Sequence, residues 1–190
     1  METGNRDNII QIALDLFSLN GYEGTGVQEI ADKAGISKPT LYHYFGNKRG
    51  LLDAIIETYG EKLHATVAQG AAYNHDIVMN LTVLTRSLIT FALSNQAFWR
   101  FYLTLLSAAP ETQGYAACQS LRTAINEKLE TLFTEAVVDH GNMRGRHRYY
   151  SETFQGMVKT WAMLVLNKEI ELNDDTLTRA VHQYMHGIFS

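Results

Sequence analysis

Cysteine, proline and alternating apolar patterns are all scarce in this 190-residue chain. The lone Cys118 cannot close an internal disulfide or build a cysteine-rich zinc site, which fits a reducing compartment and a cytoplasmic address. Only Pro39 and Pro110 interrupt the chain, and no period-two strand pattern competes with apolar side chains recurring every three or four positions. No run of about 18 apolar residues reads as a membrane span, so no membrane partner is expected. The segment METGNRDNIIQIALDLFSLN carries acids inside its apolar stretch and lacks a small-residue cleavage pattern, so it does not read as a signal peptide. Missing too are a Gly-x-Ser-x-Gly elbow, a phosphate-cradling glycine loop, a dinucleotide fingerprint and a His-Glu-x-x-His motif, so neither an enzyme nor a cofactor is expected. The formal charge of −4 gives no global argument for a nucleic-acid partner.

The spacing therefore predicts an all-α protein. Ile10, Ala13, Leu14 and Phe17 make one helix face, and Asn20-Gly21 supplies its stop. Thr25 with Gln28 resembles a capping box for a short second helix carrying Val27, Ile30, Ala31 and Ala34, which Gly35 ends. A third short helix follows Ser37, with Pro39 in its first turn, where a missing N–H has no intrahelical partner to lose. Two short helices joined at a glycine make a helix-turn-helix. A long amphipathic helix then starts near Lys48, with Leu51, Leu52, Ile55, Ile56, Tyr59 and Leu63 along one side. Further helices are expected at about 75–93, 96–107, 111–139, 149–169 and 174–188.

Charge is distributed unevenly. From Lys33 to Arg49 there are four bases (Lys33, Lys38, Lys48, Arg49) and no Asp or Glu, whereas Glu2 to Asp32 holds six acids and one base. On a helix at about 100° per residue, Leu41 and Phe45 fall about 40° apart and face the core. Pro39, Thr40, Tyr42 and His43 then lie on the far side, with Tyr44 on the flank. Tyrosine hydroxyls and lysine ammoniums suit phosphate oxygens, and Thr40 and His43 suit base edges in a major groove.

The stretch from Thr25 to Leu52, with Gly21-Tyr22 ahead of it, resembles the DNA-binding segment of the tetracycline-repressor (TetR) family of bacterial regulators. The matching positions are Thr25, Ile30-Ala31, Ala34-Gly35, Ser37, Thr40-Leu41-Tyr42-His43-Tyr44-Phe45, Lys48 and Leu51-Leu52. The resemblance implies a helix-turn-helix DNA-binding domain at 1–47 and a helical effector-binding and dimerisation domain at 48–190. It implies that Lys38, Pro39, Thr40, Tyr42, His43 and Tyr44 face DNA from the third helix, that Thr25 and Gln28 do so from the second, and that Lys48 holds a phosphate. Gly26 stands where the family often carries Ser or Thr, which leaves the cap and phosphate contact there to Thr25. The function implied is a ligand-responsive regulator, a repressor by the commoner family outcome, that binds a pseudo-palindromic operator as a homodimer. The alternatives are an activator of the same family, or a helical small-molecule-binding protein or enzyme without DNA binding.

The second domain offers two expectations of its own. In QAFWRFYLTLLS apolar residues cover nearly the whole circumference, which suggests an enclosed helix. Phe98, Trp99, Tyr102 and Leu106, with Tyr115, Gln119, Met157 and Trp161, are the candidate lining of an apolar ligand cavity with a few polar handles. Phe154, Val158, Ala162 and Val165, with Leu177, Val181, Tyr184, Met185 and Ile188 on the last helix, are the candidate dimer interface. His182 and His186 have the spacing of a metal pair, but no third ligand stands at a matching spacing, so no metal is assigned.

Overall fold

The computed structural model describes residues 2–187, with side chains from Asn5 onward. The helices are α1 (Glu2–Asn20), α2 (Val27–Lys33), α3 (Lys38–Phe45), α4 (Lys48–Gly70), α5 (Ile77–Ser94), α6 (Gln96–Leu106), α7 (Gln113–Glu135), α8 (His147–Leu166) and α9 (Asp174–His186). Among the described residues there is no strand. The expected helix at 111–139 stops at Glu135 and tightens into a 3-10 turn at Ala136–Val138. The expected helix at 149–169 stops at Leu166, where Asn167 caps it and Lys168 turns to a φ of 60°.

The chain divides into two compact units: residues up to Glu61 with Gln96–Leu121, and Lys62–Asn95 with the residues from Arg122 on. α6 and the start of α7 thus belong with the helix-turn-helix, whereas the sequence reading placed the boundary at 47/48. The cause is packing, because α1 lies against both α2 and α6. Ile9, Ile10, Ala13, Leu14, Leu16 and Phe17 are all buried on α1. Phe17 meets Tyr22 edge-on at 5.3 Å between ring centroids and Phe101 of α6 at 5.6 Å. Phe98 is sandwiched between Tyr59 of α4 at 5.2 Å and Tyr102 at 5.7 Å.

In the second unit α5 packs against α8 and α9, which also pack against each other. Asp76 caps α5 by accepting from the Met79 N–H at 2.9 Å, and Asn173 caps α9 through the Thr176 N–H at 2.9 Å. The buried Asn80 amide donates to the carbonyls of Gly70 (3.0 Å) and Ala72 (2.8 Å), satisfying the orphan end of α4. Arg86 pairs with Asp174, joining α5 to the first turn of α9.

One expectation changes here, that for α6. α5 has 18 residues at a mean hydropathy of 1.5, enough by length and composition to span a membrane, although half of it is buried within the chain. α6 is amphipathic rather than enclosed: Phe98, Trp99, Phe101, Tyr102 and Leu105 are buried, while Gln96 and Thr104 are exposed. Counting apolar residues around the wheel missed the polar edge that these two positions form.

The turn from α3 into α4 is tight at Gly50. A Cβ on Gly50 would stand 2.0 Å from the Phe45 carbonyl oxygen, a backbone atom that cannot move aside alone. Gly50→Ala is expected to cost about 2 kcal/mol or more of unfolding free energy, through overpacking. Urea denaturation of the variant beside the parent protein measures it.

Candidate nucleic-acid interface

Eight residues are too few for a helix to persist alone, so α3 depends on its caps and its anchors. Ser37 supplies the N-cap: its Oγ accepts the Thr40 N–H at 3.2 Å and lies 2.8 Å from Thr40 Oγ1. Pro39 occupies the first turn at no hydrogen-bond cost. Gly35 at φ 66° and Gly46 at φ 73° turn the chain on either side, a backbone conformation that other residues rarely adopt. Leu41 (0% exposed) and Phe45 (9%) pin one face into the core, where Ile30 and Ala31 of α2 are also buried.

The opposite face is open. Lys38, Pro39, Tyr42 and His43 are exposed and Tyr44 is half-buried on the flank, while Thr40, placed on the outer side by the helical spacing, is half-buried as well. The Lys38 ammonium lies 5.6 Å from the centre of the Tyr42 ring one turn on. His43 meets Tyr44 edge-on at 5.9 Å. No acid stands on α3.

Beside α3 lies the start of α4. Asn47 caps it, its Oδ1 accepting the Gly50 N–H at 2.9 Å. Lys48 carries its ammonium 4.3 Å from the centre of the Tyr22 ring, and Arg49 pairs with Asp53 at 2.8 Å. Tyr22, Glu23, Asn47, Lys48, Arg49 and Gln113 line an open depression of about 380 Å³. Burial, together with Glu23, raises the Tyr22 hydroxyl above the usual tyrosine range, although Arg49 opposes this.

Thr25 departs from expectation. It is 2% exposed, and its hydroxyl donates inward to the carbonyls of Gly21 (2.8 Å) and Leu16 (3.4 Å), closing the end of α1. Gly26 is the N-cap of α2 and forms no side-chain cap, so the capping box is not made. Gln28 is exposed on α2, with its amide on Asp32 at 2.8 Å.

The remaining candidates separate by unit. In the first, Phe98, Trp99 and Tyr102 are buried and Leu106, Tyr115 and Gln119 are half-buried; the Gln119 Nε2 is enclosed without a hydrogen-bond partner. In the second, Met157 and Trp161 are half-buried on α8. Phe154, Val158, Ala162, Val165, Leu177 and Val181 are buried within their own chain, so they cannot serve as a surface for a second copy. An apolar stripe marks a covered face, and here α5 covers it. Tyr184 and Met185 are half-buried, and Ile188 lies outside the described residues. The His182 and His186 rings lie 4.6 Å apart.

Sequence reasoning did not anticipate a cavity of about 560 Å³ in the second unit, lined chiefly by Phe133, His140, Met143, Tyr150, Tyr184 and His186. Phe133 and Tyr150 lie 5.9 Å apart, and the Tyr184 hydroxyl donates to the Tyr150 carbonyl at 2.7 Å. Burial pushes that hydroxyl well above the usual tyrosine range. These residues come from α7, the turn after it, α8 and α9, and no local motif links them. The roles of Asn47 and Gln113 were also missed; only Asn47 left a signal, as an asparagine ahead of a helix start.

Two short helices joined by a glycine turn, with one face anchored and the other polar and acid-free, define a helix-turn-helix protein. Residues 9–55 match the family described as bacterial regulatory proteins, tetR family. It is 45% identical over 51 residues to the class D tetracycline repressor protein of Escherichia coli, a match covering 27% of this chain and 23% of that repressor. The chain therefore spans about a quarter of the length of the first curated relatives it matches. The fold is shared more widely. A TetR family transcriptional regulator, PfmR of Thermus thermophilus, superposes with a TM-score of 0.75 at 23% identity over 96% of each chain. The transcriptional regulator FadR of Bacillus subtilis, solved with stearoyl-CoA, superposes with 0.74 at 17% identity over 95% of this chain and 98% of that one.

The α3 cap is testable without a ligand. Ser37→Ala removes the acceptor for the Thr40 N–H and is expected to cost about 1 kcal/mol. Ser37→Asp, which keeps an acceptor, should recover most of that loss in the same thermal melts.

Proposed function

We propose that the protein is a ligand-responsive transcriptional regulator, a repressor, that binds a pseudo-palindromic DNA operator as a homodimer in the cytoplasm. It is a regulator, not an enzyme, like the relatives it matches. The carrying observation is the anchored α3, with Leu41 and Phe45 buried and Lys38, Pro39, Tyr42 and His43 outward on a face without acids. A short helix so held suits the major groove. Lys38, Tyr42, Tyr44 and Lys48 are assigned to phosphates, and Pro39, Thr40 and His43 to base edges, with Gln28 alongside from α2. Thr25 acts from behind by fixing the α1–α2 turn. The functional division at residues 47/48 is kept, with 48–190 serving effector binding and dimerisation.

For the homodimer we take the outer side of α8. Gly156 lies in the middle of that helix, exposed, and a Cβ there would meet nothing within 4 Å. Glycine inside a helix costs about 1 kcal/mol relative to alanine, and nothing in its own chain requires it. Close approach of a second helix accounts for it. For the effector, the cavity bounded by Phe133, Tyr150 and Tyr184 has a volume within the roughly 300–1,000 Å³ typical of small-molecule sites. FadR's stearoyl-CoA makes an acyl thioester a first compound to try. A second effector site, at Leu106, Tyr115 and Gln119, rests on the Gln119 Nε2, which is enclosed without a hydrogen-bond partner among the described residues.

Selection of bound sequences from random duplex DNA tests the reading; a protein that retains no duplex at low ionic strength ends it. Lys48→Ala should weaken binding across sequences and reduce the slope of log affinity against log salt by about 1, as titrations at several salt concentrations would measure. Gly156→Leu should shift light scattering from dimer to monomer at micromolar concentration, and a monomeric parent protein would contradict the assignment.

A further inference from the structure

Tyr22 is bound in three directions within the first unit. Its ring packs edge-on against Phe17, its ring face carries the Lys48 ammonium at 4.3 Å, and its hydroxyl donates to Gln113 Oε1 at 2.9 Å. The residue is 7% exposed, so the ring cannot be reoriented by solvent-side motion alone. Gln113 is the first residue of α7 and lies 91 positions along the chain from Tyr22. Phe17 in turn touches Phe101 of α6. Burial raises the Tyr22 hydroxyl above the usual tyrosine range.

We propose that Gln113 is a positioning residue for DNA binding: by holding the Tyr22 hydroxyl it fixes the ring on which the Lys48 ammonium rests, and so sets where that cation meets a phosphate. This rests on the assignment of Lys48 to a phosphate made above. A lysine side chain has four rotatable bonds, and an aromatic face under its ammonium restricts them to one direction. The depression that Lys48 lines is open, so the ammonium can reach an incoming oxygen while it stays over the ring. Glu23 and Arg49 share that rim and act oppositely on an anion, which leaves the placement of Lys48 decisive. The first turn of α7 thereby becomes part of the DNA-binding apparatus although it need not touch DNA.

The test is a double-mutant cycle, read by fluorescence anisotropy on a labelled duplex recovered from the selection, at one low salt concentration and then across a salt series. Tyr22→Phe keeps the ring and its packing while removing the hydroxyl, and Gln113→Ala removes the acceptor. Each is expected to weaken binding by about 2- to 5-fold, the size of one exposed cation–aromatic contact, and to lower the salt slope towards that of Lys48→Ala. In a Lys48→Ala background neither should cause further loss. An equal loss in both backgrounds, or no loss in either, overturns the proposal. Thermal melts identify a variant that has merely unfolded, and Tyr22→Phe then carries the test. The Lys48 side-chain proton resonances give a readout without DNA: a ring-current upfield shift in the parent protein should diminish in Gln113→Ala, and an unchanged shift counts against the proposal. A parent protein that binds no duplex sinks the DNA-binding reading itself, whereas normal binding with additive Gln113 and Lys48 effects sinks this inference alone.

Discussion

Burial of two side chains, Leu41 and Phe45, orients the helix on which the proposed DNA contacts depend. They stand one turn apart on an eight-residue helix that could not hold its shape alone. Burying each contributes about 1.5–3 kcal/mol. The same burial turns Tyr42, His43 and Lys38 outward, because side chains on a helix cannot change face independently. Ser37 and the two flanking glycines set where the helix begins and ends, while the core contact sets which way it points.

Electrostatics here is a matter of placement. The protein carries a net charge of −4, yet α3 bears no acid and the start of α4 adds Lys48 and Arg49. Arg49 is engaged by Asp53 one turn along its own helix, and Glu23 stands on the rim of the same depression. Such exposed pairs contribute little to stability, but they decide how many cations remain for an anion. Lys48 lies on an aromatic ring instead of a carboxylate.

The second unit is organised by α5. Its apolar faces meet α8 and α9 together, so the stripes on those helices are used up inside the chain. Polar groups close the arrangement at its ends: Asn80 satisfies the carbonyls after α4, and Arg86 reaches the first turn of α9. What is left outward on α8 is less apolar and includes the exposed Gly156, where a Cβ would meet nothing within 4 Å among the described residues.

Periodicity alone was enough to identify the helices, their order, the glycine stops and the inward positions of α1, α3 and α4, because helix formation and amphipathic burial depend on residues only three or four apart. It also separated Leu41 and Phe45 from Tyr42 and His43, since angle on a wheel is a local property. It could not say what covers an apolar stripe, which is why Phe154, Val158 and Leu177 were assigned to a second copy when α5 already buries them. Nor could it tell that Thr25 turns inward to two carbonyls, that Gln113 holds Tyr22 from 91 positions away, or that Phe133, Tyr150 and Tyr184 bound one cavity. Those facts depend on which distant segments meet, and only the closing of the chain on itself sets that.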